Sequence, residues 1–216
     1  MRSVEHTLCA LSVALLAAGC ASNPGPVQDQ AAASAPAAAA KAASGTAVAP
    51  VDAAAQRSFD EARRALAAGQ TAEAEARFLA LTQSNPELGG PFASLGLIYQ
   101  QAGKTSEAVL QFEAAVKASP QQPAYLNQLG VAYRQMGQFD KAREAYERAI
   151  ALAPDHATAM LNLGILNDLY LGDPARALEL YERYLLLTPA GDATVSKWVV
   201  DLKNRKPQTV AAKGKS

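Results

Sequence analysis

The chain has 216 residues, and its 20 basic and 20 acidic side chains give a formal net charge of zero. Because these charges are interspersed, we expect neither nucleic acid nor an acidic polymer as a partner. It has two histidines, His6 and His156, and no phosphate-binding glycine loop, so we predict no enzyme activity, cofactor, metal site or small-molecule substrate.

The first nineteen residues have the pattern of a bacterial export signal. Arg2 is followed by an apolar run from Leu8 to Ala18, which is too short for a stable membrane span but fits the core of a secretory signal. The run ends in Leu-Leu-Ala-Ala-Gly-Cys, which resembles the bacterial lipoprotein box. That resemblance implies a signal peptide at 1–19 and lipidation of Cys20. An ordinary secretory signal with an incidental cysteine is the alternative.

The residue after the cysteine bears on the destination of the protein. Ala21 stands where the inner-membrane retention signal of enteric bacteria has aspartate. By the same resemblance we expect a lipid anchor in the outer membrane, with the rest of the chain facing the periplasm; the inner membrane is the alternative. Each buried methylene of an acyl chain contributes roughly 0.8 kcal/mol, so several chains on one cysteine give stable anchoring.

The segment after the anchor has a composition unlike that of a folded domain. Residues 20–54 are rich in alanine, with interspersed proline, glycine and serine, and they have almost no large apolar side chains. Such a segment cannot bury a core, so we predict a disordered linker. A short helix through residues 37–43 is the alternative.

Four columns of residues recur between positions 55 and 191 at intervals of 34, 34 and 35 residues. A period of this length predicts a solenoid of four stacked units, at 55–88, 89–122, 123–156 and 157–191. The columns are turn glycines, alanines, aromatic residues and prolines: Gly69, Gly103, Gly137 and Gly172; Ala74, Ala108, Ala142 and Ala177; Phe78, Phe112, Tyr146 and Tyr181; Pro86, Pro120, Pro154 and Pro189. A fifth set, Gly96, Gly130 and Gly164, follows a leucine each time, and the extra residue of the last unit lies between Gly164 and Gly172.

Each unit reads as a helix, a turn and a second helix. In the third unit, Leu126 and Tyr133 fall at helical spacing, Gly137 interrupts the pattern, and Ala142 and Tyr146 resume it. The proline near the end of each unit stops the second helix, since it lacks an amide hydrogen and disfavours helix before it.

These positions together resemble the tetratricopeptide repeat (TPR) family, across residues 55–191. The resemblance implies an all-α fold, an α-solenoid of four helix-turn-helix repeats. The first unit departs from the pattern, with Glu61-Ala62 in place of Leu-Gly. The fourth unit has Asn167 where the pattern has tyrosine, together with its inserted residue, so we expect a distorted turn there.

The C-terminal region is predicted to close the array. Four apolar residues fall on one helical face, which predicts an amphipathic capping helix at 192–205: Val195, Trp198, Val199 and Leu202. We expect Trp198 to pack against the fourth unit rather than to bind a ligand. Residues 206–216 form a basic tail that we expect to be disordered and solvated, with contact to anionic lipid or cell wall as the alternative.

In TPR proteins the first helix of each unit lines a concave groove. Amide side chains there can donate to and accept from a peptide backbone, and apolar side chains add contact, so we expect a mostly neutral peptide or helix segment. The lysine and asparagine pattern that clamps a terminal carboxylate in some members is missing. Carried over by resemblance, the predicted groove residues are Arg63, Leu97, Asn127, Gln128, Val131, Arg134, Asn162 and Ile165, with Phe59, Ser94, Gln101 and Leu161 beside them.

Two functions follow from this organisation. The first is a scaffold for assembly of an envelope machine such as a pilus or secretion pore, since the order of anchor, linker, array and cap is similar to that of TPR lipoproteins of type IV and Flp pilus systems. The second is an adaptor that brings a periplasmic protease or cell-wall hydrolase to its substrate. For either, we expect the double substitution Asn127→Ala, Asn162→Ala to weaken partner binding. The alternative is that partners dock on the convex face or beside Trp198.

Overall fold

The computed structural model describes residues 52–205, and within that range it contains nine α-helices, one π-helical segment and no strand. The predicted signal peptide, Cys20, the linker up to residue 51 and the tail from residue 206 lie outside the described residues. The helices are α1 (Ala53–Ala67), α2 (Thr71–Ser84), α3 (Gly89–Gln101), α4 (Thr105–Ala118), α5 (Pro123–Gln135), α6 (Phe139–Leu152), α7 (Ala157–Leu166), the π-helix (Asn167–Leu171), α8 (Pro174–Leu187) and α9 (Ala193–Asn204).

The helices pack as consecutive pairs. Each first helix (α1, α3, α5 and α7) contacts its following second helix most extensively, and each second helix then contacts the next pair. This arrangement confirms the predicted all-α solenoid of four helix pairs. The first helix begins earlier than the predicted start of the first repeat: the carboxylate of Asp52 accepts from the Ala54 amide at 3.2 Å, so Ala53 and Ala54, assigned above to the linker, are helical.

The glycine column after each first helix makes the turn. Gly137 has a φ of +73°, a left-handed conformation that glycine adopts without a steric penalty. The chain then reverses, and the amide of Gln138 donates to the carbonyl oxygen of Tyr133 at 2.9 Å. The next helix therefore begins one residue later, at Phe139.

The other glycine column permits close contact between the two helices of a pair. A Cβ atom on Gly130 would lie 2.5 Å from the Cε1 atom of Tyr146, and one on Gly164 would lie 2.5 Å from Cε1 of Tyr181. Both tyrosines are almost fully buried. The spacing of 16–17 residues between glycine and aromatic ring is thus a packing contact, which explains why the two columns recur together.

The fourth pair accommodates its extra residue in the π-helix. Asn167 is 5% exposed, and its Nδ2 atom donates to the carbonyl oxygen of Leu163 at 2.8 Å. A π-helical turn holds one more residue than an α-helical turn, so the insertion widens the end of the first helix while the turn glycine, Gly172, keeps its left-handed φ of +67°. The distortion therefore lies in the last turn of the first helix, before Gly172, and not in the turn itself as predicted.

Helix α9 covers the open end of the array. Val195, Val199 and Leu202 are buried against α8, and the Trp198 ring lies 5.5 Å from that of Tyr181, centroid to centroid. The predicted packing role of Trp198 is confirmed. Asp192 begins the helix: its Oδ1 atom accepts from the Thr194 and Val195 amides at 2.9 and 3.0 Å.

The cap should be sensitive to acid. Hydrogen bonds from the Val195 amide, and to a smaller extent from the Tyr184 hydroxyl and Thr194 amide, lower the pKa of Asp192, against a smaller opposing effect of burial. A carboxylate with a lowered pKa in the folded state stabilises that state above its unfolded pKa of about 3.9, and this contribution is lost as pH falls through the folded pKa. We expect fluorescence of Trp198, the single tryptophan, to report loosening of α9 below pH 4. Asp192→Asn should show a weaker pH dependence; identical profiles would contradict this role.

Candidate partner-binding groove

The first helices of adjacent pairs lie side by side, as a groove requires. Between α3 and α5, the Nε2 atom of Gln100 donates to Oε1 of Gln135 at 2.9 Å. Between α5 and α7, the Nδ2 atom of Asn162 donates to Oδ1 of Asn127 at 2.9 Å. These bonds show that neighbouring first helices adjoin. Since equivalent positions on them are 34 residues apart, equivalent side chains form rows across the array.

One such row is apolar. Leu97, Val131 and Ile165 occupy equivalent positions on α3, α5 and α7, and each is partly buried. Leu97 and Val131 pack against the central core, and Ile165 packs against the C-terminal core. Three of the predicted groove residues thus lie in one row on successive first helices, an apolar strip in which each side chain is partly exposed. Phe59 and Leu161 are also partly buried.

The amide side chains are less available than expected. Asn127 is 5% exposed, and its carbonyl oxygen accepts from Asn162, so it links two neighbouring first helices. Asn162 and Gln128 are partly exposed, and they remain the amides that a partner could contact. The hydroxyl of Ser94 donates to the carbonyl oxygen of Gly90 at 2.9 Å. Asn127 is therefore less open to a partner than predicted, because a buried polar group needs an internal partner and Asn162 supplies one. Its part in partner binding stays a prediction.

Two predicted residues lie apart from this strip. Arg63 is exposed on α1, where it borders a shallow depression together with Asp60, Arg64 and Ala67. Gln101 is exposed at the last position of α3. The predicted groove residues that lie together are therefore those on α3, α5 and α7.

Arg134, at the end of α5, lies in an unusual polar environment. Its Nε atom is buried without a hydrogen-bond partner in the described part of the chain, and so are the Tyr146 hydroxyl and Oε1 of Gln138. Burial raises the pKa of Tyr146, and the Arg134 guanidinium, which is near the Tyr146 hydroxyl although their geometry falls short of a hydrogen bond, lowers it by a smaller amount. Sequence reasoning missed the Tyr146 hydroxyl; the signal was available, because the aromatic column changes from Phe78 and Phe112 to tyrosine in the third repeat.

The described residues, 52–205, bring together no cluster of histidine, cysteine, aspartate or glutamate suited to a metal ion. Among their helices, none is both long and apolar enough to cross a membrane. The surface of α3, α5 and α7 has an apolar strip, amide side chains and one arginine. Such a surface is suited to binding a polypeptide segment.

Models of known protein families match the repeat array. Two models, each described as tetratricopeptide repeat, match the chain, one at residues 121–185 and the other at 59–123 and 93–135. Their matches run without a gap over more than half of the chain and include all four aromatic-column residues. The chain belongs to the tetratricopeptide repeat family. TPR proteins typically mediate protein–protein interaction and are generally non-enzymatic scaffolds.

Solved TPR structures share the fold. A crystal structure of MamA is 21% identical, covers 68% of this chain and 80% of its own, and superposes with a TM-score of 0.62. PilF of Pseudomonas aeruginosa is 21% identical, covers 69% of this chain and 67% of its own, with a TM-score of 0.62. The first TPR of Spaghetti (RPAP3), bound to the HSP90 peptide SRMEEVD, is 22% identical, covers 55% of this chain and 93% of its own, with a TM-score of 0.52. No curated protein sequence matches the chain.

Proposed function

We propose that this TPR protein is a lipid-anchored scaffold of the outer membrane, facing the periplasm, that assists assembly of an envelope machine such as a pilus or secretion pore. The observation that carries the scaffold role is the apolar strip of Leu97, Val131 and Ile165 across three consecutive first helices. The export signal and the lipoprotein box around Cys20 support the location. The fold shared with PilF supports the kind of machine.

The strip suits a segment of another envelope protein, either extended or helical. Three apolar side chains repeat along it at the spacing of one helix pair, and partly exposed Gln128 and Asn162 lie on the same helices. A segment with apolar residues at matching intervals would bury them there, while the amides pair with its backbone. The RPAP3 repeat, which shares the fold, is an example of a TPR array holding a peptide.

The groove and the convex face can be separated by matched substitutions. We expect Leu97→Lys with Val131→Lys to reduce partner recovery about tenfold, since a lysine stem keeps the apolar contact while its ammonium group enters the groove. The matched control is Leu110→Lys with Leu152→Lys on second helices α4 and α6, where these leucines are 61% and 39% exposed. Helix content should be unchanged in both variants.

The measurement is in-cell crosslinking of the full-length protein, followed by affinity capture and mass spectrometry. Recovery of secretin or pilus components that depends on the groove pair supports the proposed function. Recovery of murein hydrolases or a protease would instead identify an adaptor. If only the control variant loses its partners, the binding site lies on the convex face and not in the groove.

The anchor has its own test. We expect Cys20→Ala to abolish incorporation of radiolabelled palmitate and to release the protein from the outer-membrane fraction, because the thiol is the attachment point of the lipid. The partners captured in the groove by purified protein should be unaffected. A variant that still fractionates with the outer membrane would show that something other than lipid holds the protein there.

A further inference from the structure

The outward face of α9 is not covered by any helix within residues 52–205. The opposite face of α9 packs on α8 and closes the C-terminal core. Val200, on the outward face, is 55% exposed, and Lys197 and Asp201 beside it are exposed too. The end of the array thus presents an apolar side chain flanked by two opposite charges.

These two charges are not paired with each other. Lys197 and Asp201 lie one helical turn apart, but neither belongs to any of the ion pairs among residues 52–205. A charge pair on a helix is more favourable when the acid precedes the base, and here the base comes first. Asp201 lies in the last turn of α9, where the helix dipole also disfavours a negative charge. Both charges therefore gain more from a partner outside the helix than from each other.

Helix α8 places a second apolar side chain level with Val200. The two helices pack in opposite directions, and the Nζ atom of Lys203 lies 2.7 Å from Oε1 of Glu182. One helical turn beyond Glu182 on α8 is Leu186, and one turn before Lys203 on α9 is Val200. Leu186 is 83% exposed, the largest fraction among the large apolar side chains of residues 52–205. The exposed apolar surface at this end of the array therefore spans both helices.

The charges on α9 make its outward face complementary to itself. When two identical helices pack antiparallel about a two-fold axis, residues at equal distances on either side of the axis face each other. With the axis at the level of Val199, midway between Lys197 and Asp201, the lysine of each copy faces the aspartate of the other. Val200 lies one residue from the axis, so the two valines meet between the ion pairs. A parallel arrangement in register would instead bring like charges together.

We propose that this face binds a second copy of the chain, with the two α9 helices packed antiparallel about a two-fold axis. Val200 and Leu186 form the apolar centre, and two Lys197–Asp201 ion pairs fix the direction of the helices. The inference goes beyond the proposed function, since the groove strip lies on α3, α5 and α7. Each copy contributes one helix and the edge of another, an interface at the small end of the usual range, so the dimer is reversible.

Sedimentation equilibrium of the full-length protein in density-matched detergent measures this association. We expect a monomer at low protein concentration and a dimer, with no larger species, at high concentration, because a two-fold contact is closed. Leu186→Glu with Val200→Glu should raise the dissociation constant about tenfold or more. Leu110→Glu with Leu152→Glu, on α4 and α6, is the matched control and should dimerise like the unmodified chain. A monomer at every concentration would overturn the proposal.

Charge variants test the antiparallel geometry. In Lys197→Asp two acidic positions face two acidic positions, and in Asp201→Lys basic positions face basic ones, so each variant should dimerise about tenfold more weakly. Mixed in equal amounts, the two variants should bind each other as tightly as the unmodified chain binds itself, because every facing pair is again of opposite charge. Lys117→Asp, at an exposed lysine on α4, controls for the change in net charge and should not alter self-association.

A photocrosslinking amino acid at position 200 identifies the occupant of this face in cells. We expect a crosslinked dimer of the chain, and none when the same amino acid replaces Leu110. Products that contain only another protein would assign the face to that partner and refute the inference. Unchanged dimerisation of Lys197→Asp, or a mixture of the two charge variants that stays monomeric, would also refute it. Since the groove residues are the same in every variant, none of these results depends on the proposed function.

Discussion

Replacing Phe112 with alanine is expected to lower the free energy of unfolding by about 3–5 kcal/mol, among the largest effects of any single substitution in this protein. Phe112 is fully buried in the central core, and its ring fills the space over Gly96, where a Cβ atom would lie 2.6 Å from Cε1. Removing the ring loses its transfer free energy and leaves a cavity that two close-packed helices cannot easily collapse.

Urea denaturation followed by circular dichroism measures this loss. Leu110→Ala is the matched control: the residue lies two positions away on the same helix but is 61% exposed, so its removal should change stability by less than about 0.5 kcal/mol. Phe112→Leu should fall between the two. A loss below about 1 kcal/mol for Phe112→Ala would mean that the aromatic column does not organise the core.

A valine at Gly130 is expected to destabilise the protein by about 2–3 kcal/mol through overpacking. The Cβ atom alone would lie 2.5–2.9 Å from three ring carbons of Tyr146, which is fully buried and cannot move aside. Replacing glycine within a helix normally gains up to about 1 kcal/mol of helix propensity. Here the steric cost is larger than the gain in helix propensity, so the net effect is a loss. Gly130→Ala brings in the same Cβ atom and should also destabilise the protein, though less than valine, which adds two methyl groups.

A double-mutant cycle with Tyr146→Ala isolates that contact. If the clash is the cause, Gly130→Val should cost less in the Tyr146→Ala background than in the wild type, with a coupling energy of about 1 kcal/mol or more. Additive effects would show that valine acts through the backbone instead.

Both predictions bear on the groove, since its strip exists only while neighbouring repeats keep their spacing. Leu97 and Val131 are held by the same central core that contains Phe112 and Tyr146. In a solenoid each repeat is stabilised mainly by its neighbours, so a defect in one pair spreads to the adjacent ones. Core variants should therefore weaken partner binding indirectly, whereas the lysine pair in the groove should weaken it at unchanged stability.

The helix pairs and their turns follow from local pattern. A period of 34 residues, glycines such as Gly137 at the turns and prolines such as Pro154 after the second helices suffice to place them, since helical spacing and φ preferences act within a few residues. The capping helix was predictable from local pattern too, because Trp198 and its apolar neighbours fall on one face of a helix, and such a face is buried against the last repeat. The exact start of α1 was not, because a helix end depends on a single cap, Asp52.

The candidate groove could be predicted from the sequence only in part. Sequence alone determined the row of Leu97, Val131 and Ile165, because the repeat places equivalent residues on equivalent faces. Only the tertiary structure decided that Asn127 is buried against Asn162, that Asp168 pairs with Arg205 while Arg134 forms no ion pair within residues 52–205, and that the π-helix exposes Tyr170. The physical reason is distance along the chain: these contacts join side chains 35 or more residues apart, and their geometry depends on how each repeat is rotated on the next.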